Sequence, residues 1–88
     1  ARALSNFALD AAKEKDWPKA IDGMRRAVET CGACAIQAPL RRNLGLILAQ
    51  SGDVAGARAE LQKARQLDPT DEDVRYALEA LSGMKGKR

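Results

Sequence analysis

Apolar residues recur at helical spacing along most of the chain. Leu4, Phe7, Ala8 and Ala11 fall at i, i+3, i+4 and i+7, which predicts an amphipathic helix over residues 1–14. Its stop signal is weak, because Lys15 stands where a Gly is expected. Asp16 and Pro18 supply an N-cap and an early helical Pro for a second helix, about Trp17 to Thr30. Ala20, Met24, Ala27 and Val28 face inward on it, and Arg25, Arg26 and Glu29 face water. The period fails over residues 31–38, and Pro39 disfavours helical geometry at the residue before it, so this stretch reads as a connector. A third helix is expected from about Pro39 to Gln50. Gly52 then supplies a left-handed exit, and Asp53 caps a fourth helix that ends near Leu67, ahead of Pro69. Thr70, followed by Asp71, Glu72 and Asp73, reads as the N-cap of a fifth helix, about Asp71 to Leu81, which Gly83 ends. Residues 83–88 read as a frayed tail. The fold class is all-α.

The pattern repeats itself. A shift of 37 residues lays Phe7 on Leu44, Ala8 on Gly45, Asp16 on Asp53, Ala20 on Ala57, Met24 on Leu61 and Ala27 on Ala64. Both helices of one hairpin match the other at a single offset. Ala8/Gly45 and Ala20/Ala57 are small where two helices cross closely, and the large residues fill the space between. The chain is therefore a duplicated helical hairpin.

Leu44, Gly45, Leu48, Ala57, Leu61, Ala64 and Pro69 resemble one unit of the tetratricopeptide repeat, a 34-residue helix-turn-helix with small residues at its eighth, twentieth and twenty-seventh positions. That copy runs from about Ala38 to Asp71; its fourth position, often Trp in the family, is Arg41. A looser copy at about residues 1–34 matches through Leu4, Phe7, Ala8, Ala20, Met24 and Ala27 but lacks the Pro. The fifth helix, about residues 71–82, resembles the solvating helix that caps such arrays. The resemblance implies a single domain over residues 1–88: five helices in antiparallel hairpins, stacked as a short right-handed α-solenoid. Copies 37 residues apart place three extra residues between the units, as a longer second helix or a bulged connector.

Composition agrees with helix, since Ala, Leu, Arg, Lys, Glu and Gln dominate and Trp17, Phe7 and Tyr76 are the only aromatics. A net charge of +3, dispersed among acids, does not form the continuous basic stripe of a nucleic-acid binder. No apolar run approaches a membrane span, and no stretch has the order of a signal peptide. A chain that begins at Ala1 is expected to be a piece of a longer protein or a processed form, so that absence says nothing about compartment. Two repeats and a cap make a short array, which is expected to dock on more repeats, a sister domain or a second copy. Docking on a second copy implies a homodimer through exposed end helices, with Leu4 or Leu81 in the contact.

Candidate chemistry is sparse. The absence of histidine removes the commonest general base and the Ser-His and Cys-His dyads. Cys31 and Cys34 at i, i+3 fit a disulfide that clasps the connector or responds to redox, two free thiols, a redox-active pair, or half of a zinc site shared between chains. A disulfide favours a periplasmic or secreted location, and free thiols a cytoplasmic one. Asp68, Asp71, Glu72, Asp73 and Glu79 lack the order of a calcium loop and read as helix capping. No metal, cofactor or catalytic residue is expected. The family resemblance implies instead a concave groove for a protein or peptide partner. On this chain its lining is Arg2, Ser5, Asn6, Leu9, Ala12 and Lys13, then Arg42, Asn43, Leu46, Ala49 and Gln50, with Asp73 and Tyr76 beyond. Arg42 suits a carboxylate, Asn43 and Gln50 a peptide backbone, and Leu9, Leu46 and Tyr76 apolar side chains. Ser5 and Leu9 stand where carboxylate-clamping relatives carry Lys and Asn, so the resemblance does not extend to that clamp. The implied role is a non-enzymatic interaction scaffold, and self-association within a longer array is the alternative.

Overall fold

The computed structural model describes residues 13–32 and 34–85, the last three by their backbone alone. Of the helix expected over residues 1–14, all but Lys13 and Glu14 lies outside them, as do Asn6, Leu9 and Leu4. Four helices and no strand occur among the described residues: α1 (Trp17–Cys31), α2 (Gln37–Ser51), α3 (Val54–Leu67) and α4 (Glu72–Lys85). Sequential neighbours pack on one another, most extensively α2 on α3, and short connectors make them antiparallel.

The α2–α3 turn shows why the sequence folds back here. Gly52 takes a left-handed φ of 100°; its N–H bonds Ala49 O at 3.1 Å, and the Asp53 N–H bonds Leu48 O at 2.9 Å. That pair of bonds satisfies carbonyls that the end of α2 would leave free. Asp53 then opens α3, its carboxylate accepting the Gly56 N–H at 2.9 Å. Thirty-seven residues upstream of Gly52, Lys15 takes the same left-handed turn with φ 62°. The position demands that backbone in both copies, and in the first a Lys bears the steric cost that Gly avoids.

Equivalent residues of the two copies are buried alike: Ala20 and Ala57, Met24 and Leu61, Ala27 and Ala64 are each at most 1% exposed. Leu40, Leu44, Ile47 and Leu48 of α2 sit between these two layers, and Val74 and Leu81 of α4 close the core. Gly45 sets the closest approach. A Cβ there would stand 2.6 Å from Leu61 Cγ and 3.2 Å from Ala57 O, so only a residue without a side chain lets α3 lie this near.

Several boundaries differ from the sequence expectation. α2 begins at Gln37 rather than Pro39, because Pro39 falls in the first turn, where its missing N–H costs no intrahelical bond. The connector shrinks accordingly from 31–38 to 32–36. The three extra residues are spread: α1 has 15 residues against 14 in α3, five residues precede α2 against four before α4, and α2 starts one residue ahead of the repeat frame. Thr70 does not cap α4. Asp71 does, its Oδ1 accepting the N–H groups of Asp73 at 3.0 Å and Val74 at 3.4 Å, while Thr70 turns back onto Asp68. α4 also continues through Gly83 to Lys85, since an interior Gly costs only about 1 kcal/mol and does not by itself stop a helix.

At the junction between the hairpins, Cys31 and Cys34 are joined by a disulfide, with Cα atoms 5.2 Å apart. Gln37 reaches back across it. Its Nε2 donates to Val28 O at 3.3 Å and also to Gly32 O, capping the last turn of α1 with a side chain from the first turn of α2.

Candidate interaction surface

α2 buries Gln37, Leu40, Leu44, Gly45, Ile47 and Leu48. At about 100° per residue, the positions left on its opposite side are Arg42, Asn43, Leu46, Ala49 and Gln50, which form one continuous strip. Gln50 is exposed and the others are half-buried. On α4, one repeat length of 34 residues beyond Arg42, Tyr76 is 59% exposed, with the Arg75 guanidinium 5.5 Å from its ring centroid. Asp73 and Lys13 are exposed as well.

Arg42 already faces an acid of its own chain. Its Nη1 lies 3.0 Å from Asp71 Oδ2, and its Nε donates to Asn43 Oδ1 at 3.4 Å. Asp71 thus uses one oxygen to cap α4 and the other to hold α2, with its side chain only 13% exposed. The one cation expected to read a partner's acid instead fixes the end helix on the hairpin. What remains open on the strip is amide and apolar.

The other side of α2 carries a second ion pair, Arg41 Nη1 to Glu60 Oε1 at 2.7 Å, with side chains 24% and 18% exposed. It borders a crevice of about 260 Å³ lined by Arg25, Val28, Glu29, Arg41, Leu44 and Glu60. The acids between α3 and α4 serve local structure. Asp68 accepts the Thr70 hydroxyl at 2.6 Å and its N–H at 3.1 Å, and these bonds hold its carboxyl below the ordinary carboxylate value. Among the described residues, no group of three or more Cys, Asp or Glu side chains is placed to hold a metal ion, and no helix is long and apolar enough to cross a membrane. Leu81, weighed as an exposed dimer contact, is 3% exposed and belongs to the core. Seven residues, or two turns, after Val74, it falls on the same inward stripe of α4.

Sequence reasoning missed Gln37, Glu60 and the pairing of Arg42 with Asp71. The only local signal was Asp71 itself, a good capping residue one step after Thr70; the others join positions 9, 19 and 29 residues apart. Residues 38–71, from Ala38 to Asp71, match the family model of the tetratricopeptide repeat. No curated protein and no solved structure matches the chain.

Proposed function

We propose that this chain, a tetratricopeptide repeat protein by its residues 38–71, is a non-catalytic scaffold that binds an extended segment of another protein along the strip of Asn43, Leu46 and Gln50 and the ring of Tyr76. The observation that supports this reading is the continuity of that strip on the side of α2 opposite its most buried face. Amides two turns apart suit the regular donors and acceptors of a peptide backbone, and Leu46 and Tyr76 offer apolar contacts between them. Because Asp71 already neutralises Arg42, the segment favoured here is read through backbone and apolar side chains rather than through an acidic terminus. The Cys31–Cys34 bond supports a periplasmic or secreted location, where disulfides persist.

The test is selection of binders from a random peptide library, followed by titration against variants. Leu46→Glu and Tyr76→Ala are each expected to weaken the selected peptides by about tenfold or more, the usual effect of removing an interface anchor. Glu29→Lys, on the exposed side of α1, serves as the control. Binding that survives both strip substitutions but not the control would move the site to the opposite face.

A further inference from the structure

We infer that the Cys31–Cys34 disulfide is a reversible modification site, whose reduction by a dithiol loosens the junction between α1 and α2 while leaving the α2–α3 hairpin folded. The inference is independent of the peptide-binding reading. Both cysteines are half-buried, so an attacking thiolate reaches them without unfolding the chain. The bond spans a sequence separation of only 3, and closing so small a loop adds little to the stability of the whole domain. The packing that holds the hairpin, Leu44, Gly45 and Leu48 against Ala57 and Leu61, lies elsewhere.

Beside the core packing of Met24, Ala27 and Val28 with Leu40 and Leu44, the junction turn is held by hydrogen bonds of the same few residues. Cys34 N–H bonds Cys31 O at 3.1 Å, Gln37 N–H bonds Cys34 O at 3.1 Å, and the Gln37 side chain caps Val28 and Gly32. Gln37 Oε1, by contrast, is buried and accepts no hydrogen bond from any described residue. A buried acceptor without a donor favours any rearrangement that lets water reach it. The disulfide opposes that opening, and its cleavage removes the opposition. In the reaction a thiolate of the dithiol attacks one sulfur, the Cys31–Cys34 bond breaks, and the second thiol resolves the mixed disulfide. Two electrons and two protons pass to the cysteines, and the reductant leaves as its own cyclic disulfide.

Amide hydrogen exchange on the full chain tests this in the oxidised form, after dithiothreitol, and after reoxidation. Two thiols per chain should appear, and amides of residues 34–40 should exchange about tenfold faster or more, as local opening requires. Those of α3 should keep their oxidised rates, and reoxidation should restore the first profile. Unchanged exchange at 34–40, or a bond that resists the dithiol, would overturn the inference, and so would equal acceleration through α3, which makes the bond a global staple. Gln37→Met, which removes the cap at similar volume, should reproduce part of the acceleration in the oxidised chain; no change there would remove Gln37 from the device.

Discussion

At Gly45 helix propensity and core packing oppose each other. Replacing it with Ala improves helix propensity by about 1 kcal/mol. Against this, the new Cβ would stand 2.6 Å from Leu61 Cγ and 3.2 Å from a backbone oxygen, neither of which is the loose end of a flexible side chain. Overpacking of a filled core costs about 1–3 kcal/mol, so Gly45→Ala is expected to destabilise the domain by about 1 kcal/mol net. A lower urea midpoint at unchanged slope would confirm it, and a rise would mean that α3 withdraws freely.

At the scale of the helix, the two copies use the same capping device with unequal geometry. Asp53 accepts the Gly56 N–H at 2.9 Å, while Asp16, its counterpart, accepts the Lys19 N–H at 3.4 Å. A longer bond is a weaker one. Asp53→Ala is therefore expected to cost about 1 kcal/mol and Asp16→Ala clearly less, measured by chemical denaturation of the two variants side by side. Equal losses would show that charge near the helix end, rather than the hydrogen bond, is what stabilises both. Both caps were legible in the sequence because a cap is a local event, an oxygen meeting an N–H three residues on. The start of α2 and the end of α4 were not, because Pro39 and Gly83 are each compatible with either side of a helix boundary.

In the whole molecule, the attachment of α4 rests on Val74 and Leu81 in the core and on the Arg42–Asp71 pair at its edge. At 27% and 13% side-chain exposure the pair is partly shielded from water, so a double-mutant cycle of Arg42→Ala and Asp71→Asn should return a coupling of about 1 kcal/mol, with Asn keeping the cap oxygen. A coupling near zero would leave Arg42 available to a partner after all. α4 is also poorly suited to receive a further helix in the manner of α2. Glu79 stands one repeat length after Gly45, at the place where close approach requires no side chain.

The helical class, the match of α1 to α3 at an offset of 37, the inward residues of both helices and the turn at Gly52 and Asp53 could all be read from the amino-acid order. Each of these follows from spacing within a few residues, where backbone geometry leaves little choice. That Arg42 answers Asp71, that Arg41 answers Glu60 and that Gln37 caps the helix before its own emerges only from the packed helices. Those partners lie on different helices, and which side chains meet depends on the rotation and approach of packed helices, a property of the assembled core.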